Sequence, residues 1–227
     1  MLRSRVATAF AASLLAAPAT LSGQAFEGVV TSTMNPTSPR PGTMVYQVKG
    51  TQVRADVSNL KGGPPGGMYM LLDAAVGKMM SVMPAQKVYM IIDMKAVEKQ
   101  LAPDGKPVPA KLTRTGKTET VAGHKCEHCL VGAQQETDIC AAKGLGVMVG
   151  GGLAGLPGHY RAYTDLAKDG FLPLKVTSLR GGKAEVVMEA TRIEKKRLDA
   201  SLFAVPAGYT EMDMGKMMQQ RQKPSGK

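Results

Sequence analysis

The chain has 227 residues, a formal net charge of +11, three cysteines, sixteen methionines and no tryptophan. That length suits one domain of ~100–200 residues rather than several. Six tyrosines and four phenylalanines cannot interleave with the basic residues as a base-stacking platform, which argues against nucleic acid. The excess favours contact with anionic surfaces, although for basic residues this spread out a solvated exterior is the simpler reading.

Arg3 and Arg5 precede an uncharged apolar run over residues 6–17 that breaks at Pro18. A basic start, ~7–15 apolar residues and a small-residue exit describe a secretory signal peptide. The run falls short of the ~20 residues a bilayer requires. Residues 17–19 and 23–25 both fit a small-x-small cleavage site, and cutting after Ala25 is favoured. Gln24 stands where a lipoprotein box would need cysteine. Residues 1–25 are therefore expected to direct export to the periplasm or the exterior. The mature chain, at 11 − 2 = +9, is expected to be unlipidated and to contain no transmembrane segment.

Residues 26–34 alternate as a first strand, and residues 35–42, with three prolines, form a loop. Residues 44–48 follow as a second strand. Residues 52–58 carry the cleanest alternation, with Val53, Ala55 and Val57 on one face and Gln52, Arg54, Asp56 and Ser58 on the other. The glycine-proline loop at 62–67 lacks the Gly-Lys-Ser/Thr of a phosphate loop. Residues 68–93 then form a meander of three short apolar runs separated by turn material. Met68, Met70 and Leu72 share one face, and Tyr69, Leu71 and Asp73 the other. Neither face is polar, so both are covered or one lines a cavity.

Asp93 is placed to cap a short helix over 94–101, and residues 102–111 read as a linker. Strands are expected at 112–121, 124–131 and 135–142, the first two joined through Ala122-Gly123. The glycine-rich stretch 144–158 is either a mobile lid or a loose helix. Residues 159–168 put Tyr160, Tyr163 and Leu166 on one helical face, stopped by Gly170. Residues 171–179 and 183–193 make a last hairpin about Gly181-Gly182. Residues 198–218 close the domain, with Asp199 as a cap and Phe203 and Tyr209 as anchors, and 219–227 is a basic disordered tail. This order predicts an α+β fold: a single, strongly curved antiparallel sheet, or half-barrel, with helices packed on its concave side. A ligand cavity between the layers would follow.

Three cysteines leave one unpaired after any disulfide. Cys126 and Cys129 lie in a stretch that reads as a strand, whereas a redox Cys-x-x-Cys sits at a helix N-terminus. Either can face Cys140: a two-residue turn at Gln134-Gln135 aligns Cys129 with it, and a three-residue loop over 132–134 aligns Cys126. His124, Cys126, His128 and Cys129 are also ligand types for Cu(I) or Zn(II), and Met212, Met214, Met217 and Met218 add thioethers. Met79, Met80 and Met83 form a second such group. On a regular strand Cys129 faces away from the other three, so methionine as adaptable core or apolar contact is the simpler reading. No Ser–His–Asp set and no carboxylate pair of a glycosidase stands out.

Gly123-His-Lys-Cys126 followed by Thr137-Asp-Ile-Cys140, then Gly170-Phe-Leu-Pro-Leu-Lys175 and Leu198-Asp-Ala-Ser-Leu-Phe203-Ala-Val-Pro-Ala-Gly-Tyr209, resemble the signatures of domain-of-unknown-function family 4412, an exported bacterial family. That family is similar in pattern to the LolA-like lipoprotein carriers, whose half-barrel holds acyl chains against helices. LolA itself begins with a helix, whereas a strand follows the leader here. The resemblance implies a Cys126–Cys140 disulfide with Cys129 free. Closing a loop of ~15 residues in this way is worth roughly 3 kcal/mol.

The expected function is that of an exported, non-enzymatic protein that binds a lipid or other amphiphile without a cofactor. Its acyl part would lie along Met68, Met70, Leu72, Met80, Val82, Tyr89 and Ile91, and an anionic membrane surface would meet the basic exterior. A Cu(I) or other soft-metal carrier using the His/Cys strand and the methionines is the alternative. An envelope scaffold that binds another protein is the third reading.

Overall fold

The computed structural model describes residues 26–59, 66–73, 75–92, 111–132, 134–146, 166 and 169–212. Short apolar runs ended by Gly, Pro or Asp build a first meander: β1 (Glu27–Met34), β2 (Gly42–Lys49), β3 (Gln52–Ser58), β4 (Met68–Asp73), β5 (Lys78–Met83) and β6 (Val88–Ile92). Each is antiparallel to the one before it. A second meander follows: β7 (Leu112–Val121), β8 (His124–Val131), β9 (Thr137–Lys143), β10 (Phe171–Ser178) and β11 (Glu185–Lys195). The two join where β11 returns to pair antiparallel with β1. A two-residue strand, β12 (Thr210–Glu211), adds parallel to β6. All twelve lie in one sheet, in the order β12-β6-β5-β4-β3-β2-β1-β11-β10-β9-β8-β7.

The inner face is set by period-two alternation. Val30, Tyr46, Ala55 and Met70 oppose one another in successive strands and are almost fully buried. Val48, Val53 and Met188 continue the same core. The sheet curls far enough for the chain after β9 to reach β2. A Cβ on Gly146 would collide with Cγ1 of Val48, and Gly146 has φ +93°, so only glycine fits at this approach. Leu145 and Leu166 are buried in that core.

The outer face of the first meander is covered by the chain that follows β11. Leu198 and Phe203 bury against Val29 and Val45, then Val205 and Tyr209 against Tyr69, Leu71 and Val82. This strap crosses β1 to β6 before ending as β12. Polar clamps hold it at each end. Glu27 Oε1 accepts from Leu198 N at 2.7 Å, and Lys49 Nζ donates to Leu198 O at 2.6 Å. At the far end Thr210 N donates to Lys87 O at 3.0 Å and Met212 N to Tyr89 O at 2.7 Å. Asp199 caps the 3-10 turn Ala200–Phe203 by accepting from Ser201 N at 2.8 Å.

The α+β half-barrel with helices on its concave side is not what forms. Among the described residues the fold is nearly all β, one open twelve-stranded sheet, and no helix of seven or more residues packs on it. What covers β4 is core on one side and strap on the other, which explains why neither face of its sequence is polar. Residues 198–212 form a strap that is extended beyond the 3-10 turn because Pro206 and Gly208 break any helix, although Leu198, Leu202, Val205 and Tyr209 fall at helix-like spacing. The helices expected at 94–101 and 159–168 lie outside the described residues apart from Leu166, as do the leader 1–25, the linker at 102–110, residues 147–158 of the expected lid, and the tail. Among the described residues no helix is long and apolar enough to cross a membrane.

Candidate functional site

Two regions carry more chemistry than packing alone requires. The first is the inner face of β3 to β6. Val57, Met68, Leu72, Met90 and Ile92 lie on that face and are only half-buried, while Met70, Met79 and Ser81 beside them are nearly closed off. Alternation divides the residues expected to line one acyl site. Met68, Met70 and Leu72 point inward; Met80, Val82, Tyr89 and Ile91 pair on the outer face. Val82 is sealed under the strap, Met80 and Tyr89 pack against it, and Ile91 is 47 % exposed. The methionine trio splits in the same way, Met79 and Met83 inward and Met80 outward.

Arg54 fixes the strap from the outer face of β3. Its guanidinium makes a two-pronged pair with Asp56, at 2.8 Å and 2.7 Å, and lies 3.7 Å from the centre of the Tyr69 ring. It also lies 3.5 Å from Leu202 O on the strap. The hydrogen bonds to Asp56 hold the Arg54 pKa above its usual value.

The second region is a polar row across the second meander. Cys126 and Cys140 are joined by a disulfide and are nearly fully buried. The register lies between the two that turn length allowed: His128, and neither cysteine of β8, stands opposite Cys140. Five residues, 132–136, separate the strands, and the bridge runs diagonally. Cys129 points to the other face, opposite Ile139, where burial raises the pKa of its thiol. As a disulfide sulfur Cys126 has no thiolate to offer a metal beside His124, and His124 Nδ1 lies 3.1 Å from Ala122 O. Met212 is half-buried at the end of the strap, and Met214, Met217 and Met218 lie outside the described residues.

Around the disulfide stand Glu119, His128, Asp138, Lys175 and Glu189, one from each strand β7 to β11. His128 Nδ1 lies 2.9 Å from Asp138 Oδ1, and its Nε2 lies 3.3 Å from Glu119 Oε2. Lys175 reaches across β9 and β8 to donate to Glu119 Oε1 at 2.9 Å, with Glu189 at 3.8 Å. The Lys175 hydrogen bond lowers the Glu119 pKa, and the same bond raises that of Lys175. None of Glu119, Asp138 and Lys175 is among the site residues expected from the sequence, although Asp138 and Lys175 fall inside the family signatures. Only the strand register, with bulges at 114/118 in β7 and 173/175 in β10, brings them together.

No curated protein matches the chain. Among solved structures it is similar to an uncharacterised conserved protein from Thermus thermophilus, at 11 % identity and a TM-score of 0.47, over 83 % of this chain and 90 % of that one. It is also similar to PNGF-II in two crystal forms, at 14 % and 15 % identity with TM-scores of 0.48 and 0.47. Each PNGF-II match covers 88 % of this chain but only 33 % or 34 % of that protein. Scores this low carry no argument about function. A family description matches residues 26–209, from the first strand through the closing Ala-Gly-Tyr of the strap, and the chain therefore belongs to the domain-of-unknown-function family DUF4412.

Proposed function

We propose that this is an exported, non-enzymatic binding protein for an apolar or amphiphilic ligand, seated on the inner face of β3 to β6. The observation that supports it is the row Val57, Met68, Leu72, Met90 and Ile92. These are apolar side chains left half-open beside the closed residues Met70, Met79 and Ser81 of the same face. Methionine suits such a surface because its unbranched thioether adapts to an acyl chain of any shape. The basic excess would draw an anionic headgroup or membrane to the exterior. Outward Met80, Val82, Tyr89 and Ile91 are outside this site; they seat the strap or face solvent. A copper carrier is less favoured, because β5 puts Met79 and Met80 on opposite faces and the disulfide removes the Cys126 thiolate.

Native mass spectrometry of the protein purified from its own envelope fraction tests the reading. A co-purified lipid mass is expected. Copper in its place supports the metal carrier, and a bare chain the protein-binding scaffold; either overturns the amphiphile reading.

A further inference from the structure

We propose that reduction of the Cys126–Cys140 disulfide opens a zinc site made by the two cysteine thiolates, His128 Nε2 and Glu119 Oε2. Glu119, His128 and Cys140 already hold one ligand atom each within 4.8 Å of one another, and Cys126 Sγ is bonded to that of Cys140. Two ligands about 2.0 Å from a tetrahedral zinc are about 3.3 Å apart. His128 Nε2 and Glu119 Oε2 are 3.3 Å apart.

The groups behind these ligands have the arrangement of a metal centre. Asp138 receives His128 Nδ1–H through both carboxylate oxygens, at 2.9 Å and 3.0 Å, which fixes the ring and turns the Nε2 lone pair toward Glu119. A lone pair and a carboxylate oxygen facing each other repel unless a cation lies between them, and two cations fit: a proton or a metal ion. Lys175 occupies Glu119 Oε1 and leaves Oε2 for that cation. Two thiolates and one carboxylate carry three negative charges against two on zinc, and the Lys175 ammonium neutralises the remainder. Side-chain exposures of 20 % for His128 and 35 % for Glu119 leave an entry path on this side.

The step requires a dithiol reductant. One of its thiolates attacks a sulfur of the bridge, its second closes on the mixed disulfide, and it leaves as a cyclic disulfide. Cys126 and Cys140 are left as thiols. Zinc displaces their two protons to solvent as the sulfurs part to the ~3.8 Å expected for two thiolates 2.3 Å from one tetrahedral ion. The oxidised protein offers only His128 and Glu119, so the site is gated by redox state. This inference does not rest on the amphiphile reading, which concerns the other meander.

The test uses the full chain and zinc alone, in competition with a chromophoric chelator. Protein is reduced by a dithiol and freed of the reagent without air. Reduced protein is expected to hold one zinc per chain at least 100-fold more tightly than oxidised protein. Asp138→Asn should weaken the reduced site ~10–100-fold, as loss of a ligand-orienting carboxylate does. His128→Ala, which leaves the bridge intact when oxidised, should remove the gain on reduction, and Cys129→Ala should keep it. Equal affinity in both redox states, no stoichiometric zinc on reduction, or full affinity in His128→Ala overturns the proposal. Should the reduced chain unfold, circular dichroism decides: zinc restores the strand signal of the native sequence but not of His128→Ala. Restoration in both, or in neither, overturns it.

Discussion

In the first meander, β1 to β6, apolar side chains cover both faces: core residues such as Tyr46, Val53 and Met70 inside, and the strap residues Phe203, Val205 and Tyr209 outside. In the second, β7 to β11, one face carries a charged row and the strands are tied by a covalent bond across β8 and β9. The same architecture is thus held in two ways. Where the chain can fold back over its own sheet, burial suffices. Where no described segment does so, a disulfide and paired charges close the surface.

Phe203→Ala should cost the most, about 3 kcal/mol or more, because it empties the central contact of the strap. Urea denaturation reads the loss as a lower midpoint; a change under about 1 kcal/mol would mean that the strap is ornamental. Replacing Cys126 and Cys140 together with Ser should cost roughly 3 kcal/mol by freeing the loop they close. That loss belongs to the second meander, so hydrogen exchange should rise in β8 and β9 before β2 and β3.

Ser32 moves stability the other way. Its hydroxyl is buried at the bulge between β1 and β11, with no hydrogen-bond partner among the described residues. Ser32→Ala should raise stability by up to about 1 kcal/mol in thermal unfolding, since it removes a desolvated polar group. The smallest effect is expected from Glu119→Gln, within the ~0.2–1 kcal/mol of a part-exposed ion pair. The Glu119 carboxyl is held below its ordinary 4.5, first by the Lys175 hydrogen bond. Its contribution is therefore fully present above pH 4.5 and fades as pH falls through the lower folded value. Lys175 is held above 10.5 by the same bond, so its share is complete below that pH and is lost as pH rises through the folded value. The difference between Glu119→Gln and the native sequence should be present at pH 7 and shrink at both extremes.

Strands are legible wherever alternation or turn residues mark them. β3 matches its residues 52–58, and β7 and β8 match theirs, joined through Ala122 and Gly123, both at positive φ. Meander order and the double coverage of β4 can also be read. The strap cannot be recognised as such, because Leu198, Leu202, Val205 and Tyr209 repeat at the 4-3-4 spacing of a helix face and meet partners more than 120 positions away. Period-two reading works within a strand but not across a turn, so Met68 and Met80 look like one acyl surface although the reversal between β4 and β5 puts them on opposite faces. The register around Cys140 depends on Gly132 and Gln135, both at positive φ in a five-residue loop whose geometry turn rules alone do not fix. Glu119, Asp138 and Lys175 become neighbours only once three strand pairings are known.

Displacement of a fluorescent fatty acid from Met68→Lys and Ile91→Lys measures the central proposal most directly, with the fold of each variant checked by circular dichroism. Met68 faces inward from β4, and Ile91 faces outward from β6. A charge at the inner position should weaken binding at least tenfold, about 1.4 kcal/mol, while the outer one leaves it unchanged. Loss at Ile91 with full binding at Met68, or no binding by the native protein, would contradict it.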